Sequence, residues 1–180
     1  MDKDIKIKIK AYNIEYDQLK RKEEIIENNI IESRKVSRYL NRSKNDFLFA
    51  NTIKNLIEDT RIRLKLGLPE EYPNLYHWLI ISSYYAMYHA ATAAIAKKRI
   101  KSLSHLATIK ALAKHYVTGE ELEFGFIKTM EYVYITYIES GRESRQGAQY
   151  NVDKEYNKEE SYEVLENAGK FVKRISALLE

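Results

Sequence analysis

Cysteine is absent from this chain of 180 residues, and glycine and proline are scarce, with only 6 and 2 residues. The absence of cysteine excludes disulfide bonds, thiolate metal sites and cysteine nucleophiles. The scarcity of glycine and proline argues against an all-β fold with many tight turns. The first ten residues, MDKDIKIKIK, lack the apolar core of a secretory signal. We therefore expect a cytoplasmic protein.

The usual motifs for phosphate loops and helical metal sites are also missing. Neither G-x-x-x-x-G-K-[ST] nor G-x-G-x-x-G occurs in the chain. A di-iron helical bundle needs paired Glu-x-x-His motifs, and none of the four histidines has a glutamate three residues before it. We therefore expect no cofactor and no metal site.

The longest uncharged run covers residues 74–96, NLYHWLIISSYYAMYHAATAAIA. A helix that is apolar on nearly every side must be buried on nearly every side, so this run predicts a central helix. The run is long enough to cross a bilayer. However, Ser82, His89 and Thr92 are poor lipid-facing residues, and the other predicted helices have apolar faces that need covering. We therefore expect no membrane association.

One stripe of this helix is polar. At about 100° per residue, it contains Trp78, Ser82, Tyr85, His89 and Thr92. Buried hydroxyl and imidazole groups cost free energy unless they find partners. Two interpretations follow: the stripe bonds to neighbouring helices, or it lines a groove for a polar ligand or a second subunit.

The N-terminal segment fits two patterns. Residues 4–10 alternate as a half-buried strand would, but Ile5, Ile9, Tyr12 and Tyr16 also fit a helical spacing. Because no second convincing strand is present for pairing, we favour a helix from about residue 11 to residue 40.

Apolar spacing divides the rest of the chain into further helices, separated by polar segments at 41–45 and 142–156. The expected helices cover about 46–66, 74–96, 102–117, 120–140 and 157–179. Ser102 or Ser104 would cap the third of these, and Asn157 with Glu160 would form a capping box for the last. The predicted fold is all-α, an antiparallel up-and-down helical bundle of about five helices with an additional N-terminal helix. We expect an N-terminal extension at 1–44 and the bundle at 45–180.

The formal net charge of +4 permits nucleic-acid binding without requiring it. Lysine and arginine cluster in several short runs, at residues 20–22, 34–38, 61–65 and 97–101. Each run taken alone is typical of a solvated helix surface.

Three segments in order, SSYYAMYHAATAAI, SLSHLATIKALAKHYV and RESRQGAQYNV, together resemble the HEPN superfamily. The resemblance is closest to its small prokaryotic UPF0332-like group and covers about residues 46–179. It implies a dimeric α-helical bundle that binds nucleotide or RNA. It also implies a partner, because such proteins are often encoded beside a minimal nucleotidyltransferase in a toxin-antitoxin-like pair.

Many members of that superfamily are metal-independent ribonucleases whose signature is arginine, four to six residues, then histidine. Here Arg145 begins the corresponding segment, and Tyr150 occupies the place of the histidine. Arg142 lies one turn earlier if the segment is helical. Arg99 and His105 fit the same spacing but belong to a different connection. The departure at Tyr150 leaves catalysis open.

Metal-free RNA cleavage needs a base for the 2′-hydroxyl proton, an acid for the leaving oxygen and positive charge at the phosphate. Tyr150 would be a poor base at neutral pH because a tyrosine hydroxyl has a pKa of about 10. His89 or His105 could act as the base instead if the fold brings either one to the arginines. The candidate catalytic residues are Arg145, Arg142, Tyr150 and His89. The candidate nucleotide- or RNA-binding residues are Ser82, Tyr85, His105, Arg142 and Arg145.

Each candidate also has a structural interpretation. Arg145 would form an ion pair with a carboxylate of the bundle, His89 would be a hydrogen-bonded core histidine, and His105 would make a local bond at a helix start. Three functions follow from the sequence. They are a nucleotide- or RNA-binding HEPN protein that forms a homodimer and partners a nucleotidyltransferase, an active ribonuclease toxin, and a non-catalytic helical interaction module.

Overall fold

The computed structural model describes residues 3–30, 33–69, 74–117, 130–151 and 153–180. In these ranges 80% of the residues are helical, which confirms the all-α prediction. The helices are α1 (Lys3–Arg21), α2 (Ser33–Glu58), α3 (Thr60–Lys65), α4 (Asn74–Lys97), α5 (His105–Tyr116), α6 (Val133–Tyr150) and α7 (Lys158–Leu179). Two short antiparallel strands, β1 (Ile25–Ile26) and β2 (Lys101–Ser102), form the sheet that these residues contain.

Helix α4 is the centre of the bundle, as its uncharged sequence predicted. It contacts α2, α5, α6 and α7. Ala86, Ala90, Ala93 and Ala94 are fully buried, and their small side chains let neighbouring helices approach closely. Across the described ranges, the structure contains no helix with both the length and the apolarity that a membrane span requires.

Helix α1 begins earlier than predicted and belongs to the core. Its buried residues, Ile9, Tyr12, Tyr16 and Leu19, follow the helical spacing and lie on the side that contacts α5. The predicted continuous helix over 11–40 is wrong, because the chain leaves the helix after Arg21. The reason is a long-range pairing, in which β1 places Ile25 opposite Ser102 of β2.

The polar break predicted at residues 41–45 is also wrong, since this segment lies inside α2. Ser43 is fully buried there, and its hydroxyl donates a hydrogen bond of 2.7 Å to the backbone oxygen of Ala86. A hydrogen bond to α4 therefore satisfies Ser43, whose polar sequence neighbourhood is typical of a loop. The predicted division at 44/45 falls within this same helix.

The helix predicted over 46–66 is interrupted at Asp59, whose side chain accepts hydrogen bonds from the backbone N–H groups of Arg61 and Ile62 and so caps α3. The spacing of Phe49, Ile53 and Leu64 predicts one apolar face for this helix. Ile53 is buried as expected, but Phe49 is 56% exposed and Leu64 is 58% exposed. Ala50 is buried beside Ile53 in α2.

The helix predicted to end at residue 140 continues through Gly141 to Tyr150. The structure gives Gly141 a packing role, because a Cβ atom there would lie 2.5 Å from Cε of Met87 in α4. Glycine was therefore selected for the close approach of two helices and not for a turn. Residues 120–129, which the prediction assigned to the start of this helix, lie outside the described residues.

Local signals identified the starts of α5 and α7 correctly. Ser104 caps α5 by accepting a hydrogen bond from the N–H of Ala107. Asn157 and Glu160 form the predicted capping box of α7. In α7 the buried stripe includes Leu165, Ala168, Val172 and Ile175, as the spacing indicated.

Candidate functional site

The continuation of α6 past Gly141 brings Arg145 against the polar stripe of α4. Its Nη2 atom donates a hydrogen bond of 2.9 Å to the hydroxyl of Tyr85. The guanidinium carbon also lies over aromatic rings, 5.9 Å from the ring centre of Tyr84, 5.5 Å from that of Tyr85 and 5.5 Å from that of Tyr150. Two histidines and a further tyrosine complete the group. We call these residues the arginine–aromatic cluster: Tyr84, Tyr85, Tyr88, His89, His105, Arg145 and Tyr150.

Arg145 forms no ion pair with any described residue. The structural interpretation required a carboxylate that pairs with Arg145, and the described residues provide none. Its Nε atom is buried and has no hydrogen-bond partner there. Burial alone would lower the pKa of Arg145, but the Tyr85 hydrogen bond and the neighbouring tyrosines raise it overall. The cluster thus holds a permanent positive charge against aromatic rings.

His105 joins the cluster from the first turn of α5. Its Nδ1 atom lies 2.6 Å from the hydroxyl of Tyr84, and its ring stacks on Tyr88 with 4.1 Å between ring centres. Burial lowers the pKa of His105, and the charges of Arg145 and Arg142 lower it further. His105 is therefore neutral at pH 7, and its bond is to a residue 21 positions away instead of the local bond expected.

The Tyr84 hydroxyl can serve either tautomer of this imidazole. Burial raises the pKa of Tyr84 despite the opposing effect of Arg145, so the hydroxyl keeps its proton. It can donate that proton to Nδ1, or its oxygen can accept a hydrogen bond from Nδ1–H. Nε2 of His105 can therefore be either a proton donor or a proton acceptor.

His89 is held by a carboxylate from another helix. Its Nδ1 atom lies 2.6 Å from Oδ2 of Asp46 in α2, and its ring stacks on Tyr85. Burial lowers the pKa of His89 most strongly, the carboxylate of Asp46 opposes this shift, and the charge of Arg42 adds to it. A neutral His89 that donates from Nδ1 to Asp46 has Nε2 as its basic nitrogen, which is the geometry of an oriented general base.

Three other predicted residues lie around these contacts. Arg142 is one turn before Arg145 and forms no hydrogen bond or ion pair with the described residues, but its charge lowers the pKa of His105. Tyr150 is 68% exposed at the end of α6, with its ring against Arg145. Ser82 is buried one turn before Tyr85 and makes no hydrogen bond to the cluster.

Asp46, Tyr84 and Tyr88 are the members of this arrangement that sequence reasoning missed. The two tyrosines flank the polar stripe in sequence, and their helical spacing beside Tyr85 was the signal that could have included them. Asp46 carried no signal of this kind, because it looked like the first residue of a helix and lies 43 positions from His89.

The arrangement can bind an anion and can move a proton, but it offers no metal site. The described residues contain no group of three or more histidine and acidic side chains close enough to hold a metal ion. Positive charge, neutral imidazoles and exposed aromatic rings are the groups that recognise phosphates and bases.

Comparison with known protein families gives a match over most of the helical bundle. The sequence model of the HEPN domain matches residues 54–178, which is more than half of the chain. The comparison with curated proteins gives no match. The matched range contains the whole arginine–aromatic cluster but not Asp46. The chain belongs to the HEPN domain family, and this membership is consistent with a nucleotide- or RNA-related function.

Proposed function

We propose that this HEPN-domain protein binds a phosphate group of RNA or of a nucleotide at Arg145. The observation that carries this proposal is the isolation of the Arg145 charge. Its guanidinium is held by tyrosines without a carboxylate partner among the described residues, and its buried Nε has no hydrogen-bond partner there. A phosphate would supply both the missing negative charge and hydrogen-bond acceptors in a planar, bidentate geometry.

The surroundings of Arg145 also suit a nucleic acid. Arg142 adds a second positive charge one turn away, and Arg42 is close enough to α4 to lower the pKa of His89. Tyr150 exposes most of its ring, and a base can stack on an exposed aromatic side chain. Single-stranded RNA or a free nucleotide therefore fits this surface better than an acidic protein does.

The proposal includes a homodimer and a nucleotidyltransferase partner, as in the small prokaryotic branch of the family. Two large aromatic side chains, Phe49 and Trp78, are more than half exposed in the single chain. A symmetric dimer that covers them would have an isologous interface. Light scattering at micromolar concentration tests this part, and a monomeric mass would contradict it.

A second candidate function is RNA cleavage without a metal, and the Asp46–His89 pair favours it. His89 would take the proton of the 2′-hydroxyl through Nε2, and the 2′ oxygen would attack phosphorus. The phosphorus–5′-oxygen bond would break to leave a 2′,3′-cyclic phosphate. The doubly protonated fraction of His105 would donate its Nε2 proton to the leaving oxygen and return to neutral imidazole. Arg145 would stabilise the charge on the phosphorane. In this mechanism a histidine of α4 replaces the one missing at Tyr150.

The binding test compares wild type with Arg145→Ala and Arg145→Lys, using fluorescence anisotropy of a labelled single-stranded RNA. We expect Arg145→Ala to weaken binding at least about tenfold and to lower the salt slope by about 0.7, the value for one phosphate contact on a single strand. Arg145→Lys should restore the salt slope, because lysine keeps the positive charge. It should restore less of the affinity, because lysine cannot form the bidentate contact. Arg61→Ala is the matched control, since Arg61 is exposed on α3.

Two outcomes separate the candidate functions. If Arg145→Ala and Arg61→Ala bind RNA equally well, the site assignment is wrong. If wild type binds RNA without cleaving it, Tyr150→His is the informative variant, because it restores the family's arginine–histidine spacing. A wild-type protein that binds neither RNA nor nucleotide would instead favour a non-catalytic interaction module.

A further inference from the structure

A separate cavity of about 220 Å³ opens where α2, the end of α4 and β2 meet. Its lining includes Asn29, Lys35, Tyr39, Thr92, Ile100 and Lys101. None of these residues belongs to the arginine–aromatic cluster. The volume is below the roughly 300 to 1,000 Å³ of a typical site for a drug-sized ligand, so the occupant is small or only partly enclosed.

Two lysines at this cavity have no acidic partner among the described residues. Lys35 comes from α2 and Lys101 from β2, and neither forms an ion pair with a described residue. The lining residues that the structure describes include no carboxylate. Lys110 shows the contrast, because it is paired with both Glu15 and Glu139. Two cations at one cavity, with no counter-charge among its described lining residues, favour an anionic occupant.

The other walls of the cavity suit a base and a sugar. Tyr39 is 36% exposed, so part of its ring is available for stacking. Ile100 is 3% exposed and forms an apolar floor. Asn29 and Thr92 add polar side chains at the edge. A cation pair, an aromatic wall and an apolar floor together match one nucleotide unit.

The backbone around the cavity adopts an uncommon conformation at two positions. Arg99 has a φ of 60° and Asn28 a φ of 54°, both in the left-handed region that side chains other than glycine rarely adopt. The N–H of Asn29 donates a hydrogen bond of 3.0 Å to the backbone oxygen of Arg99, which joins the two bends. The pairing of β1 with β2 then places Lys101 opposite Ile26.

The cavity continues the polar stripe of α4 beyond His89. Thr92 follows His89 by three residues, and its hydroxyl donates a hydrogen bond of 2.8 Å to the backbone oxygen of Tyr88. On the other side, His105 lies four residues after Lys101. Thr92 follows Tyr85, the hydrogen-bond partner of Arg145, by seven residues, so the cavity lies about 10 Å further along α4.

We propose that this cavity holds a nucleoside monophosphate unit, further along α4 than the phosphate bound at Arg145. Lys35 and Lys101 contact its phosphate, and its base stacks on Tyr39. This inference rests on the proposed function, since it extends the same ligand along α4. The unit is either part of an RNA strand or a free nucleotide, and the two sources are distinguished by the probes used below.

The test uses two probes, adenosine 5′-monophosphate by titration calorimetry and a short single-stranded oligoadenylate by anisotropy. We expect the double variant Lys35→Gln/Lys101→Gln to weaken oligoadenylate binding about tenfold and to lower its salt slope by about 1.4, two phosphate contacts at about 0.7 each. Tyr39→Leu should weaken binding about tenfold and Tyr39→Phe hardly at all, because phenylalanine still stacks. Lys44→Gln is the control on the same helix, exposed and outside the cavity.

If the variants bind both probes more weakly than wild type, the cavity accepts a free nucleotide as well as a strand. If they bind only oligoadenylate more weakly, the cavity accepts a nucleotide only as part of a strand. If the double variant and Tyr39→Leu both bind like Lys44→Gln, the inference is wrong. In that case a large loss in Arg145→Ala would leave the proposed function standing. No loss in any of these variants would overturn both.

Discussion

Nδ1 of His89 lies 2.6 Å from Oδ2 of Asp46, a residue 43 positions earlier in the chain. The contact joins α2 to the polar stripe of α4. Its effect is to select one tautomer of His89, because an ionised carboxylate accepts a hydrogen bond from Nδ1–H and leaves Nε2 basic. The position of a proton in the candidate site thus depends on a residue outside the matched HEPN range.

Asp46→Asn should change the tautomer and the titration of His89. The Asp46 carboxylate raises the pKa of His89 against the effect of burial, so its removal should lower that pKa further. Imidazole NMR over a pH series measures both properties. If the protein cleaves RNA, we also expect Asp46→Asn to lower the cleavage rate about a hundredfold, the upper range for removing a group that orients a histidine.

The control for Asp46→Asn is Asp17→Asn, which removes an exposed carboxylate 3.9 Å from Lys114. This variant should leave the His89 resonances unchanged. Equal titration of His89 in wild type and Asp46→Asn would show that the contact has no electrostatic role.

Stability should fall as the pH falls below about 6.5. Burial lowers the pKa of His89, His105 and His115 below their ordinary value of 6.5 in the folded protein. The unfolded chain therefore binds protons at a higher pH than the folded chain, which favours unfolding on acidification. Urea denaturation at about pH 7.5 and about pH 5.5 measures the difference in the free energy of unfolding between the two pH values. His115→Gln should make this difference smaller. A free energy of unfolding that rises on acidification over this range would contradict the prediction.

Lys110→Ala should destabilise the protein by about 3 kcal/mol, since it leaves carboxylates without their buried partner. Lys110 is 5% exposed, and its Nζ atom lies 2.9 Å from Glu15 of α1 and 3.2 Å from Glu139 of α6. It also lies 3.9 Å from the ring centre of Tyr12. Urea denaturation monitored by circular dichroism measures the loss.

Lys114→Ala is the matched control, one turn later on α5. Lys114 is more exposed and lies 3.9 Å from Asp17, so its loss should cost less than about 1 kcal/mol. A similar small effect for both variants would mean that α1 behaves as a separable extension, as the division at 44/45 supposed.

Gly147→Ala should destabilise α6, although alanine normally stabilises a helix interior by about 1 kcal/mol relative to glycine. A Cβ atom at Gly147 would lie 2.3 Å from the hydroxyl oxygen of Tyr156. That hydroxyl donates a hydrogen bond of 2.8 Å to the backbone oxygen of Ser144, and Tyr156 is 5% exposed, so it has little room to move. We expect the free energy of unfolding to fall by about 1 to 3 kcal/mol, as measured by thermal denaturation. Ser140→Ala on the same helix should stay within about 0.5 kcal/mol, and a more stable Gly147→Ala would refute the packing argument.

Local chemistry was sufficient for the parts of the fold that depend on neighbouring residues. The charge-free run identified α4, Ser104 identified the start of α5, and Asn157 with Glu160 identified the start of α7. A cap or an apolar stripe involves residues within one or two turns, so the sequence contains the whole signal.

Long-range contacts decided the helix boundaries that the sequence analysis missed. The break after α1 depends on Ile25 pairing with Ser102, and the continuation of α6 depends on Gly141 lying against Met87. Glycine and a polar run are ambiguous by themselves, because they mark either a turn or a close contact between helices.

The sequence by itself determined which residues share the polar stripe of α4, because helical periodicity depends only on spacing along the chain. It also pointed to Arg145, through the resemblance of its segment to a known signature. Only the tertiary structure decided what faces these groups: tyrosines around Arg145, and Asp46 beside His89. The physical reason is that charge and hydrogen bonding act through space, so the protonation state of an imidazole is set by partners that may be far away in the sequence.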